Sequence, residues 1–179
     1  MSSIIKVDNI QSQSGTNAIT IGSNGKVNLP AHPMFAAFRT TSYTINQTYT
    51  EIPFNIEEFD IGGNYNPTTG RFTAPVDGIY EFKIASIDAN HSTCVRWRMR
   101  VNGADQAFPS GGSGRREHRI DHTGMADSDS YSTNSEYTSI IELTAGDYVS
   151  NFVRCDSGTL TGYGSSEYRY NYFMGKLIV

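Results

Sequence analysis

Short runs in which apolar and polar residues alternate recur along most of the chain, and this alternation limits its fold more than any other feature. In one run, Tyr80, Phe82 and Ile84 fall on one side of an extended segment, while Glu81 and Lys83 fall on the other. Turn sequences separate the runs: Asn66-Pro67, Pro75-Val76-Asp77-Gly78, Asn102-Gly103 and Gly146-Asp147. Short strands and turns at regular spacing predict an all-β sandwich or jelly roll.

The apolar residues are of the kind that strands favour. The 179 residues include 16 Ile and 8 Val but 4 Leu, whereas the cores of helical bundles draw on Leu and Ala. A charged fraction of 18% is too low for a chain held open by repulsion, and a hydrophobic fraction of 37% is enough for a core. The length predicts one domain with room for a short appendage.

Charge and hydrophobicity exclude several classes of partner. The formal net charge of −4 argues against nucleic acid and anionic membrane surfaces as partners of the whole chain. No apolar run approaches the roughly 18 residues of a membrane span, and the start of the chain lacks the basic and apolar parts of a signal peptide. We therefore expect neither membrane insertion nor conventional secretion. Cys94 and Cys155 either pair or stay free, and the sequence leaves this open.

The sequence predicts that residues 1–32 form a separate β segment and that residues 33–179 form the main domain. Alternating apolar runs flank Asn24-Gly25, which is a strong hairpin signal. Because an isolated hairpin is marginal in water, we expect the segment to dock on another protein or on copies of itself. Pro30 and Pro33 stiffen the junction. The residues expected to provide the attachment are Ile5, Val7, Ile10, Ile19 and Ile21.

A later strand alternates Arg96, Arg98 and Arg100 with apolar residues such as Trp97. Guanidinium groups at every second position suit the carboxylates or sulfates of an anionic glycan. They also suit Asp and Glu partners on neighbouring strands, or a subunit interface. We favour these two kinds of pairing over a ligand and keep the three arginines as a candidate ligand patch.

Glycine and serine are dense in residues 103–135, which predicts long exposed loops around a short strand near His118. His118 and His122 resemble a zinc-binding pair, but that spacing needs a helix, which the neighbouring glycines disfavour. Asp127 and Asp129 offer oxygen ligands for calcium without the rest of an EF-hand loop. We therefore expect no cofactor. The candidate ligand contacts in these loops are Arg115, Arg116, His118, Asp127 and Asp129.

The sequence predicts a last strand with apolar or aromatic residues on both faces, so that a second surface should cover it. Phe173 and its alternate residues form one face, and Tyr168, Tyr170 and Tyr172 lie on the other. Aromatic residues are enriched at subunit interfaces, so packing between subunits explains these tyrosines. A stacking platform for sugars explains them equally well.

Several motifs of the main domain form an ordered series. They are Ala37-Phe38, Phe54-Asn55, Tyr65-Asn66, Thr69-Gly70-Arg71-Phe72-Thr73-Ala74-Pro75, Gly78-Ile79-Tyr80-Glu81-Phe82, Leu143-Thr144-Ala145-Gly146-Asp147 and Phe173-Met174-Gly175-Lys176-Leu177. The series resembles the globular-head domain of complement one-q, a relative of tumour necrosis factor. The resemblance implies a ten-stranded jelly roll that assembles as a homotrimer and has no catalytic site. On that basis Tyr168, Tyr170 and Tyr172 are expected at the trimer interface.

The segment from Ser3 to Val27 resembles the opening of many structural proteins of tailed phages, particularly marine phages. Together the two resemblances imply a virion fibre, knob or decoration protein, assembled in the host cytoplasm and exposed on the particle. Its N-terminus would bind capsid or tail proteins, and its head loops would contact host glycan or protein. Two alternatives stay open: a cement protein without a receptor, and a glycan depolymerase that uses carboxylates such as Asp121 and Glu136.

Overall fold

The structure is a computed structural model that describes residues 6–15, 17–29, 32–89, 95–105, 118–120 and 133–179. The regular elements in these residues are all β-strands, and none of these stretches contains a helix that could span a membrane. The strands are β1 (Asn9–Gln11), β2 (Asn17–Ile21), β3 (Val27–Asn28), β4 (Met34–Phe38), β5 (Tyr43–Ile45), β6 (Thr50–Glu51), β7 (Ile56–Ile61), β8 (Tyr65–Asn66), β9 (Arg71–Thr73), β10 (Gly78–Ala89), β11 (Val95–Val101), β12 (Ala104–Asp105), β13 (His118–Ile120), β14 (Thr133–Leu143), β15 (Tyr148–Cys155), β16 (Leu160–Gly162) and β17 (Tyr172–Leu177).

Strands β4 to β17 form two antiparallel sheets that enclose one core. The first sheet has the order β7, β4, β17, β10 and β14, and β5 and β16 extend the rows of β4 and β17. The second sheet has the order β8, β9, β15, β11 and β12, and β6 and β13 extend the rows of β9 and β12. Each sheet thus has five rows in the described part of the chain. The predicted ten-stranded, all-β jelly roll is confirmed.

Aromatic side chains fill the space between the two sheets. Phe35 is fully buried, and its ring stacks on those of Tyr65 and Phe72 at centroid distances of 4.6 and 5.0 Å. The ring of Phe173 meets Phe35 edge-on at 4.9 Å. The predicted inward faces of β10 and β11 are confirmed by burial of Tyr80, Phe82, Ile84, Val95, Trp97 and Met99. Their alternate residues therefore lie on the outer sides of the sheets, where some of them, such as Arg98, are also buried.

The first three strands form a small antiparallel sheet of their own, in the order β1, β2, β3. The predicted turn at Asn24-Gly25 joins β2 to β3. Gly25 has a φ of 77°, a left-handed value that favours glycine, and the backbone N–H of Lys26 donates to Oδ1 of Asn24 at 3.0 Å. The predicted hairpin is therefore present.

One side of this small sheet is apolar. Ile10 lies opposite Ile19, and Ile21 lies opposite Val27, so strand register places the four residues on one side, here called the N-terminal face. Ile10 is 48% exposed and Val27 is 56% exposed. The described residues therefore leave the N-terminal face partly exposed to solvent. Val7 is also exposed, and Ile5 lies outside the described residues.

Candidate functional site

The outer side of the first sheet is apolar over β7, β4 and β17. Strand register sets the side chains in cross-strand rows. The rows are Ile61 beside Met34, Phe59 beside Ala36 and Met174, and Ile56 beside Phe38 and Tyr172, and these eight residues are called the apolar face. Phe59 is 43% exposed and Ile61 is 48% exposed, although both are large apolar residues of β7. The sheet thus has apolar side chains on both of its sides.

Ion pairs border the apolar face on the side of β10 and β14. Nζ of Lys83 lies 2.8 Å from Oε2 of Glu136, and the hydroxyl of Tyr172 donates to the other oxygen of that carboxylate. The hydrogen bond from Lys83 lowers the pKa of the Glu136 carboxyl below its usual value, and the same bond raises the pKa of Lys83. Lys176 lies 3.8 Å from Glu81. Each Lys–Glu pair has no net charge, so these residues do not repel a second copy of the chain electrostatically.

Two of the three tyrosines expected at the trimer interface lie before the last strand rather than in it. The last strand begins at Tyr172. Before it, the hydroxyl of Ser165 accepts the backbone N–H of Glu167 and of Tyr168 and forms a turn. Tyr168 and Tyr170 are exposed, and their rings stack at 5.3 Å. Tyr172 lies on the apolar face.

Arg169, between these two tyrosines, locates them beside the apolar face. Its guanidinium forms an ion pair with Glu58 of β7 at 3.0 Å and lies 5.0 Å from the ring centroid of Phe38. The stacked tyrosine pair therefore borders the apolar face at its Phe38 end. Its part in a trimer interface stays a prediction.

The outer side of the second sheet carries the arginines that the alternation of β11 places there. Arg98 and Arg100 both bind the carboxylate of Asp105, at 2.7 and 2.6 Å. Arg96 binds both oxygens of Asp156, at 2.6 and 2.7 Å. The structure therefore shows pairing within the protein, which is one of the two explanations that the sequence favoured over a ligand. A role of these arginines in ligand contact stays a prediction.

Tyr49, in the loop between β5 and β6, is the centre of this arginine cluster. The guanidinium carbon of Arg98 lies 4.1 Å from the ring centroid, and those of Arg100 and Arg154 both lie 5.3 Å from it. Cations at these distances are attracted to the electron-rich face of an aromatic ring. Arg154 also binds Asp156 at 3.1 Å. The loop is thus held against the outer side of the sheet.

We expect Tyr49→Ala to lower the free energy of unfolding by about 1 to 2 kcal/mol, because three guanidinium groups lose their aromatic partner. Tyr49→Phe keeps the ring and should lose less than half as much. Urea denaturation of both variants at one protein concentration measures the difference. Equal losses in the two variants would show that the hydroxyl, and not the ring, holds the loop.

Several predicted contacts lie outside the described residues: Arg115, Arg116, Asp127 and Asp129, together with Asp121 and Cys94. The backbone of His118 begins β13, and its register partner is Trp97. In the described part of the chain, the acidic, histidine and cysteine side chains form no group that could hold a metal ion. The Cys155 thiol is buried, which raises its pKa, and it donates to the carbonyl of Ile45 at 3.4 Å.

Sequence reasoning predicted a second apolar side only for the last strand, and it missed Tyr49 and the part of the apolar face that lies on β4 and β7. The apolar face had a signal, since Met34 to Phe38 is a continuous apolar run, which is typical of a strand covered on both sides. The position of Tyr49 had no signal in the sequence, because Arg98 and Arg154, whose guanidinium groups contact its ring, lie on strands far along the chain. Its position follows from the pairing of β6 with β15.

Comparisons with known proteins agree on the fold. The model of the C1q domain family matches residues 34–178. The globular domain of zebrafish complement 1qA is similar at 18% identity and a TM-score of 0.55, over 82% of this chain and 98% of that one. Eiger TNF from S. frugiperda is similar at 14% identity and a TM-score of 0.51, over 83% and 92% of the two chains. Murine APRIL is similar at 10% identity and a TM-score of 0.53, over 83% and 99%.

No curated protein matches the chain in sequence. Sequence identities this low show a similar fold and no more. The family model, in contrast, matches most of the chain, including the strands that carry the apolar face and the arginine cluster. The chain belongs to the C1q domain family.

Proposed function

We propose that this chain is a non-enzymatic structural protein of a bacteriophage particle, in which a homotrimeric head is anchored by the N-terminal segment. The head points outward and contacts host-surface glycan or protein, as a fibre, knob or decoration protein does. Domains of this family often form trimers and are typically non-enzymatic, which supports these two parts. The phage context rests on the resemblance of the first residues to phage structural proteins.

The apolar face is the observation that carries the proposal. Monomeric soluble proteins rarely expose large continuous apolar patches, and such patches mark interaction sites. A ring of three copies needs a contact between two different surfaces of each copy. The apolar face is one of them, and its shallow depression between Met34, Phe59 and Met174 suits a protruding side chain of a neighbour. The exposed pair Tyr168 and Tyr170 is a candidate for the second surface.

The N-terminal face supports the anchoring part of the proposal. Four aliphatic side chains share one side of a sheet of three short strands, which is too small to bury them. A surface of the particle that covers this face would remove the exposed area of Ile10 and Val27 from water. Binding through many copies on one particle then raises the avidity of weak head contacts.

The double variant Ile10→Asp with Val27→Asp tests the anchor. Two charges on the N-terminal face should abolish incorporation into particles, because burying unpaired carboxylates costs several kcal/mol, while the head stays trimeric. Lys26→Asp, in the turn between β2 and β3, is the matched control and should incorporate normally. Particles assembled with each variant and probed for the protein give the result. Normal incorporation of the double variant would refute docking through this face.

Binding of the labelled protein to host cells separates adhesion from the alternative of a cement protein. An adhesive head binds cells before and after it is built into particles. A cement protein binds particles and not cells, and that result would favour the alternative.

A further inference from the structure

A second group of exposed aliphatic residues lies on the outer side of the first sheet, at the border formed by β10 and β14. Ile140 of β14 is 56% exposed, and Ile79 of β10 is 39% exposed. Ile178 directly follows β17, is 42% exposed, and donates its backbone N–H to the carbonyl of Ile79 at 2.7 Å. The exposed residue Glu142 lies opposite Ile79. These four residues are called the β14 patch.

The β14 patch and the apolar face lie at opposite ends of the same side of one sheet. The cross-strand row that begins with Ile61 and Met34 ends at Ile140. The ion pair of Lys176 and Glu81 lies between these ends. Four strand spacings of about 4.8 Å each separate Ile61 from Ile140 by roughly 19 Å. A threefold axis that runs along the strands, in front of this side, would bring the β14 patch of one copy against the apolar face of the next.

The shapes of the two surfaces suit such a contact. The side chain of Ile140 protrudes from β14, whereas the apolar face has a shallow depression between Met34, Phe59 and Met174. An isoleucine side chain that enters this depression removes apolar area of both copies from water. Removal of apolar area from water is the main driving force of most association between proteins.

The charges at the edges of the two surfaces are complementary. In the described part of the chain, no basic side chain forms an ion pair with Glu142 of the β14 patch. Lys176, at the edge of the depression, lies 3.8 Å from Glu81, which is too far for a hydrogen bond. A carboxylate that is buried at an interface needs a cationic partner. Lys176 of a neighbouring copy can be that partner for Glu142.

We propose that the β14 patch is the second surface of the trimer. Ile140 of one copy enters the depression in the apolar face of the next copy, and Glu142 approaches Lys176 there. The inference rests on the proposed homotrimer and names the surface that its apolar face binds. Tyr168 and Tyr170 border the apolar face in the same copy, so this contact places them beside its centre.

Disulfide trapping in the full chain tests the contact. The variant carries Ile140→Cys and Phe59→Cys, whose Cα atoms lie much farther apart in one copy than the roughly 7 Å that a disulfide allows. Oxidation of dilute protein with glutathione disulfide should give mainly covalent trimer on a denaturing gel, and a reductant should return single chains. Two controls should stay single chains: Ile140→Cys with Thr73→Cys, which moves the second thiol to the other sheet, and the wild type with Cys94 and Cys155.

Sedimentation of the same proteins separates this inference from the proposed trimer. A wild type that sediments as a trimer, together with a double-cysteine variant that gives no covalent trimer, would overturn the inference and leave the trimer standing. A wild type that sediments as folded monomers would refute both. Covalent trimer in the Thr73→Cys control equal to that in the variant would also overturn the inference, because it would show random collision.

Ile140→Asp gives a second measure that needs no oxidation. A carboxylate in the apolar depression of the neighbour, beside Glu142, should weaken association at least about tenfold, while circular dichroism stays that of the wild type. Tyr168→Asp with Tyr170→Asp should weaken association less. Unchanged association of Ile140→Asp, with loss of the trimer in the tyrosine variant, would assign the second surface to the tyrosine pair and overturn the inference.

Discussion

Phe59→Glu is expected to convert the trimer into folded monomers. In a single copy the side chain points outward from β7 and is 43% exposed, so a carboxylate there is tolerated. In the proposed trimer the same carboxylate is buried among Ala36 and Met174, with Glu57, Glu58 and Asp60 as neighbours in sequence. Breaking the interface in this way costs about 3 to 5 kcal/mol, which weakens association at least about a hundredfold.

Sedimentation equilibrium of Phe59→Glu at several protein concentrations measures this effect. The matched control is Thr73→Glu, an exposed strand residue on the outer side of the second sheet, which should stay trimeric. Far-ultraviolet circular dichroism should show the same β content in both. A Phe59→Glu protein with the mass and concentration dependence of the wild type would show that the apolar face is not the interface.

Phe35→Ala is expected to have the largest effect on stability. The ring is fully buried, stacks on two aromatic rings and meets a third edge-on. Removing a buried phenylalanine ring costs about 3 to 5 kcal/mol, a large part of the roughly 5 to 15 kcal/mol that stabilises a typical domain. Urea denaturation should therefore show a midpoint far below that of the wild type, with an unchanged slope.

Phe35→Leu is the matched variant, because it keeps most of the buried volume and should cost less than about 1.5 kcal/mol. All three proteins are compared at one concentration, since association adds to the apparent stability. A loss below about 1 kcal/mol for Phe35→Ala would contradict the assigned core.

The sequence predicted the inward faces of the main strands correctly because alternation is a local property. Trp97 and Met99 of β11, like Tyr80 and Phe82 of β10, are buried where a period of two places them. A strand in a sandwich packs one side on the core wherever its neighbours lie, so these faces need no knowledge of topology. The hairpin at Asn24-Gly25 is equally local.

The alternation pattern could not predict features that depend on which distant strands pair and in which register. The apolar face joins β17 to β4 and β7, and its rows depend on strand register and on a bulge between Ala36 and Ala37. Tyr168 and Tyr170 were assigned to the last strand because they continue its alternation. The side chain of Ser165 instead bonds the backbone and begins a turn, which a pattern of apolar residues does not reveal.

The mass of the full chain in dilute solution tests the central claim most directly. Sedimentation equilibrium should give three chain masses of 19.8 kDa each, with no dissociation over the range in which the Phe59→Glu variant is monomeric. A single chain mass for the folded, unmodified protein at those concentrations would contradict a head that assembles through the apolar face.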